Sequence, residues 1–186
     1  MNRNKPRAFS RRVREQIIFA LFGAMMFCSK LIMEGLPNIH PLAMFVMLLT
    51  IVYRKKALIP IYIYVFLQGL WSGFSPWWIP YLYLWTILWG VTMLLPQKMK
   101  PETATAVYPL VGALFGLSFG TLYAPAQAIM MRLSFQQTLA WIAAGLSFDL
   151  IHAVGNAVMC SLVYPLSLLL RRLEAKTGPR EKSEKL

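Results

Sequence analysis

Asp149, His152 and Asn156 are the residues whose types and spacing could do chemistry in this chain. They belong to the stretch Phe-Asp-Leu-Ile-His-Ala-Val-Gly-Asn at 148–156, inside its last apolar segment. With only seven acidic residues and two histidines in the sequence, that stretch concentrates rare groups. At about 100° per residue the three side chains fall within roughly 60° of arc, one stripe of a helix. A carboxyl, an imidazole and a carboxamide in an apolar helix are costly and must face protein, water or a ligand. Two readings follow: a ligand-binding stripe, which leads, and a helix-to-helix hydrogen-bond cluster.

The stripe needs a scaffold, and the composition indicates which kind. Hydrophobic residues make up 58% of the 186 and mean hydropathy is +0.53, more apolar surface than a soluble core can hide. Hydropathy predicts an all-α integral membrane bundle of six helices at about 16–33, 42–53, 57–71, 81–95, 108–131 and 145–170. Residues 1–15 form a basic segment, 16–172 the transmembrane domain and 173–186 a charged tail of disordered character.

The net charge of +12 would suit nucleic acid, but its distribution excludes that partner. The basic residues cluster in 1–15, 54–56, 98–100 and 171–185, leaving only Lys30 and Arg132 for the other side. That asymmetry predicts both termini in the cytoplasm. Ser10-Arg11-Arg12 is similar to the start of a twin-arginine export signal. No small-residue cleavage site follows, and apolar segments continue, so it reads as an uncleaved anchor. Cys28 and Cys160 lie in apolar runs and read as small buried hydrophobes.

Several local features bear on the stripe. Ala20 and Ala24, with Gly23, form a small-residue strip on the first helix that lets another helix approach. Lys30 and Glu34 are neighbours four apart, either an ion pair or two groups at a site rim. Gly35–Pro41 holds two prolines and a glycine, so it cannot be regular helix. The segment after it, Leu42–Tyr53, spans only about 18 Å as helix against a hydrocarbon core of about 30 Å. The preceding connection should therefore dip into the protein, making Glu34–Pro41 a lid; His40 is either part of it or solvated. Gln68 lies near the outer end of the third helix. Trp77 and Trp78 read as interfacial belt; Trp85 and Trp89, four apart, read as core packing or a stacking wall. Gly112, Gly116 and Gly120 form a tandem G-x-x-x-G ridge. Pro125 should kink the fifth helix and free backbone near Tyr123 and Gln127, and Pro165 should bend the sixth. Ser134–Thr138 reads as a connection or a short interfacial helix.

Polar residues thus gather in the outer half of the bundle, which favours a pocket open to the outside over a continuous channel. Acids, amides and aromatic walls suit a small polar heteroaromatic or cationic solute. An enzymatic alternative exists: F-x-x-x-H running into H-x-x-x-N resembles the membrane-embedded metal-type proteases that process prenylated proteins. Those enzymes also carry a Glu-Glu pair, absent here, and without it general base and metal ligands are lacking. The chain is therefore expected not to be an enzyme and to hold no metal.

With six helices, a basic amino terminus, a long outer connection after the first helix and A-x-x-x-A within it, the chain resembles the substrate-binding S components of energy-coupling factor (ECF) transporters. The resemblance implies that Ala20 and Ala24 dock onto a transmembrane T component, that a pair of partner ATPases consumes ATP, and that a vitamin, vitamin precursor or similar micronutrient is captured from outside a bacterial plasma membrane. No G-x-x-x-x-G-K phosphate loop occurs in this chain, which fits such a division of labour. The residues expected at the substrate are Asp149, His152, Asn156, Trp85, Trp89, Glu34, Gln68, Tyr123 and Gln127. The rival reading is a membrane scaffold that uses its small-residue ridges for assembly alone.

Overall fold

The computed structural model describes residues 5–36 and 39–177. Pro37 and Asn38 of the expected lid, Arg3 of the basic segment and the tail 178–186 lie outside the described residues. Every regular element among the described residues is helical: α1 (Lys5–Ile32), α2 (Leu42–Tyr53), α3 (Leu58–Ser72), α4 (Tyr81–Leu94), α5 (Pro101–Leu117), α6 (Phe119–Met131), α7 (Phe135–Cys160) and α8 (Val163–Thr177). Short 3-10 turns at Arg54–Ala57 and Pro76–Trp78 join α2 to α3 and α3 to α4. Since α5 runs into α6 and α7 into α8 with barely a break, the eight segments make six rods. Three stretches, Arg12–Ile32, Pro101–Met131 and Phe135–Cys160, are long and apolar enough to cross a membrane.

The α2 helix is the core of the bundle. Apart from Phe45, every residue from Leu42 to Ile51 is buried, and α1, α4, α5, α7 and α8 all pack on it. A helix apolar all round belongs inside. Its buried hydroxyl, on Thr50, donates back to the Val46 carbonyl at 2.6 Å, the usual way a polar side chain is carried in an apolar helix. The rods around α2 leave apolar side chains outward at helical spacing, among them Leu110, Leu114 and Leu117 on α5 and Leu150, Val154 and Val158 on α7.

Polar ties gather at one end of the bundle. Arg14 pairs with Glu174 (3.2 Å), which also accepts from the Tyr53 hydroxyl (2.9 Å). Lys56 pairs with Glu15 (2.6 Å), while Arg54 donates to the Met93 carbonyl (2.9 Å) and Arg171 to that of Ile51 (3.1 Å). The α1 helix therefore enters where α2 leaves, α3 enters where α4 leaves, and α8 finishes beside both.

Helix boundaries depart from the hydropathy reading where local chemistry outweighs it. The α1 helix starts at Lys5 rather than Gln16. The α5 helix starts at Pro101 rather than Tyr108, because Pro101 stands at its first position with Glu102 in the first turn, a favourable helix start. Ser134–Thr138 opens α7 instead of connecting to it: Ser134 and Gln137 form a reciprocal capping box. Asp149 consequently sits near the middle of α7, not near its start.

Breaks are displaced too. Pro125 lies inside α6, and the interruption falls at Ser118. Pro165 ends α7 one turn ahead of itself, at Ser161–Leu162, since it is the Ser161 carbonyl that loses its N–H partner. Cys28, expected buried, is exposed, whereas Cys160 is buried.

The tandem glycines of α5–α6 provide the closest helix crossing. A Cβ on Gly116 would stand 2.7 Å from backbone atoms of His152 and Ala153, and one on Gly112 would stand 2.5 Å from the Cys160 sulfur. Gly23 serves a similar purpose between α1 and α3, where an added Cβ would strike Ile63 and sit 3.1 Å from the Pro60 carbonyl oxygen. Gly90 in α4 faces open space. Gly116→Ala should therefore destabilise the fold by about 1–3 kcal/mol through overpacking. Gly90→Ala should be neutral or stabilise it by up to ~1 kcal/mol. Unfolding midpoints in detergent will read both signs.

Candidate functional site

The stripe on α7 lies buried in the crossing with α5–α6. Asp149 is 6% exposed, His152 3% and Asn156 1%. Both Asp149 carboxylate oxygens accept from the Gly120 backbone N–H, at 3.0 and 3.2 Å. In an uninterrupted helix that N–H would close on the Gly116 carbonyl. Its diversion to Asp149 coincides with the break at Ser118, and the carboxylate faces the positive first turn of α6. Gly120 permits the approach, for a Cβ there would lie 2.5 Å from the carboxylate.

One turn along, His152 is edge-on to the Phe119 ring (centroids 4.7 Å apart) and to the His40 ring (5.2 Å). His40 in turn contacts Trp85 at 6.5 Å. The connection between α1 and α2 thus dips into the protein at Ile39–Pro41, as the shortness of α2 demands. Glu34 and Leu36 of the same connection are exposed. No ion pair joins Lys30 and Glu34 among the described residues.

Trp85 is the hub of the aromatic wall. It is 2% exposed and meets Tyr64, Tyr81, Phe115 and Phe119 at centroid distances of 5.9–6.3 Å. Gln68, one turn along α3 from Tyr64, is 2% exposed; its Nε2 donates to the Ser72 hydroxyl at 3.0 Å.

Around this wall the buried polar atoms are unusually poor in partners. No protein hydrogen bond reaches His40 Nδ1, Tyr64 Oη, Gln68 Oε1, Trp85 Nε1 or His152 Nε2, or either end of the Asn156 carboxamide. A buried polar atom left unpaired costs about 1–3 kcal/mol, so a cluster of them marks a place built to meet something polar. His40 and His152 stand ring to ring, but no group of three His, Cys, Asp or Glu side chains gathers among the described residues.

Other expected residues lie elsewhere. The Trp89 indole donates to the Arg54 carbonyl (3.2 Å), so Trp89 closes the charged end of the bundle rather than joining Trp85. Tyr123 is at the edge of the wall: it touches Phe119, stacks on Trp141 and donates to the Trp77 carbonyl at 2.9 Å. Gln127 is half-buried one turn further on, and Glu34 is exposed. Trp78, expected in an interfacial belt, folds back to donate to the Val65 carbonyl at 2.8 Å. Near Pro125, the Leu122 carbonyl accepts from the Tyr83 hydroxyl at 2.8 Å, although the carbonyl that this proline itself leaves without an N–H is that of Thr121.

The sequence reading missed Tyr64, Tyr81, Phe115 and Phe119. A usable signal existed, since Tyr64, Tyr81 and Phe119 each stand four residues from a flagged side chain (Gln68, Trp85 and Tyr123), and Phe115 four before Phe119.

Compared with known proteins, the chain matches no protein family, no curated protein and no solved structure.

Removing the carboxylate tests the crossing. Asp149→Ala leaves the Gly120 N–H buried without an acceptor and should cost about 1–3 kcal/mol. Asp149→Asn retains an acceptor oxygen and should cost less. Paired thermal unfolding of the two variants reads the difference.

Proposed function

We propose that this protein is the substrate-capture component of an ECF-type transporter. On this reading six rods span a bacterial plasma membrane with both termini in the cytoplasm. A vitamin, vitamin precursor or similar micronutrient is taken from outside, and ATP is consumed by partner ATPases working through a transmembrane T component. The observation that carries the reading is the set of unpartnered polar atoms gathered with the aromatic wall of Trp85 at the centre of the bundle. A scaffold needs small-residue crossings but has no use for unpaired imidazole, indole and carboxamide groups in its interior.

Further support comes from the surface. Apolar side chains line the outside of α5 and α7, the arrangement a lipid solvent requires. The charged ties collect at the end where the sequence has its excess of Lys and Arg, the cytoplasmic end by charge asymmetry. Ala20 is exposed and Ala24 half-buried, so this strip remains open to a second protein while Gly23 packs internally on α3. The non-helical stretch at Ile39–Pro41, carrying His40 onto the ring cluster, is the wall best suited to move when a solute enters.

Two measurements test this. Native mass spectrometry of the purified chain should show a retained small molecule. Co-expression with T and ATPase subunits should give a complex that Ala20→Trp weakens several-fold while leaving the unfolding midpoint of the isolated chain unchanged. No complex with the wild-type chain would refute the transport assignment, and an undiminished complex with Ala20→Trp would refute the docking strip.

A further inference from the structure

We infer that the site takes an uncharged, planar nitrogen heterocycle with a cyclic amide edge, the edge pairing with Asn156 and the rings lying by His152, Phe119 and Trp85. This inference rests on the capture reading above and narrows it to a ligand class.

Asn156 supplies the first argument. It is 1% exposed, and both its Nδ2 and its Oδ1 lack partners. A carboxamide offers a donor and an acceptor side by side in one plane. The complement is another cis amide: a ring N–H beside a ring C=O, joined by two parallel hydrogen bonds. Esters only accept and ammonium groups only donate, so each satisfies half of that pair; a hydroxyl can do both, but through one atom and with strained geometry.

Geometry supplies the second. Asn156 is one turn from His152 on the same face of α7, about 6 Å along the helix. Next to His152 stand the faces and edges of Phe119 and, through it, Trp85. Two or three fused rings cover that span, so a ligand whose amide edge is at Asn156 brings its far ring among aromatic side chains. The unpaired His152 Nε2 and Trp85 Nε1 then meet heteroatoms on its flanks.

Charge supplies the third. Ring faces attract a cation only weakly against the cost of desolvating it, so a cation in this interior also calls for a carboxylate with no partner of its own. Asp149 has both oxygens turned to the Gly120 N–H, Glu34 is exposed, and Glu15 and Glu174 are tied at the opposite end of the bundle. None of the unpartnered atoms receives a hydrogen bond from Lys or Arg, and Lys30 acts on His40 only through space, so an anion finds no paired counter-charge at Asn156. The groups left open to a solute are neutral polar ones, and an uncharged solute matches them.

The test uses the full chain in lipid nanodiscs and titration calorimetry with five probes: lumazine, lumichrome, the 1,3-dimethyl derivative of each, and the N-methylquinolinium cation. Lumazine and lumichrome are uncharged two- and three-ring heterocycles whose N1–H and N3–H each stand beside a ring C=O, and methylation at both nitrogens removes every such edge. At least one parent should bind; its 1,3-dimethyl derivative, and the Asn156→Leu variant with the parent, should each be weaker by at least roughly tenfold, the worth of one to two lost hydrogen bonds. The cation should bind more weakly than either parent. Should Asn156→Leu fail to fold, the methylated probes on the wild-type chain still decide the matter. The inference is overturned if neither parent binds, if methylation has no effect, or if the cation binds best. A retained natural molecule that is charged or lacks an amide edge overturns it too, while leaving the transport reading standing. Conversely, absence of a complex with T and ATPase subunits removes transport and leaves a positive lumazine or lumichrome result intact.

Discussion

The bundle depends on one close crossing, that of α5–α6 over α7. Three glycines spaced by four remove every side chain from one face of the first rod. The partner rod then approaches until backbone nearly touches backbone at Gly116 and His152. At that separation a carboxylate can reach across and take a main-chain N–H, and Asp149 does so at Gly120. The contact has two consequences. It accompanies the break at Ser118, where α6 starts, and it holds α7 in the rotation that points His152 and Asn156 inward. Turning α7 by one residue would bring Asp149 out to the apolar surface beside Leu150, where its charge would meet no donor.

Buried polar groups in this protein fall into two populations. Thr50, Thr92 and Ser167 each donate to a carbonyl of their own helix, at 2.6, 2.8 and 2.7 Å, and so place no demand on a partner. Imidazole, indole and carboxamide groups cannot satisfy themselves in this way, because their reach and geometry carry them beyond the backbone of their own turn. They collect around Trp85 and along the inner face of α7, drawn from the α1–α2 connection and from α3, α4 and α7. Elements distant in sequence would not converge on unpaired polar atoms by chance, since each such atom works against folding.

The sequence carried the elements whose signals were global. Apolar runs located six rods, the spacing of the glycines identified the tight crossing, and the shortness of Leu42–Tyr53 required a connection that dips inward. Local chemistry was harder to weigh. A capping box at Ser134 and Gln137 and a proline opening at Pro101 lengthened helices into stretches whose polarity reads as loop. The break at Ser118 is not marked by a proline, and it coincides with a contact between Gly120 and a side chain 29 residues further along the chain. Trp85 and Trp89 illustrate the limit of periodicity: they share a helix face, yet one is the hub of the aromatic wall and the other hydrogen-bonds to the turn after α2. Facing can be read from spacing, whereas depth along a rod depends on which neighbours reach that far.

These constraints divide the stripe that first drew attention to α7. Asp149, His152 and Asn156 share a face and a degree of burial, but not a condition. Asp149 has a protein partner, the Gly120 N–H at the positive start of α6. His152 and Asn156 retain polar atoms with no protein partner. A residue already satisfied positions its neighbours; a residue left unsatisfied is available to a ligand. Asp149 therefore belongs with the glycines as part of the crossing, and the capacity for recognition lies one and two turns further along the same helix.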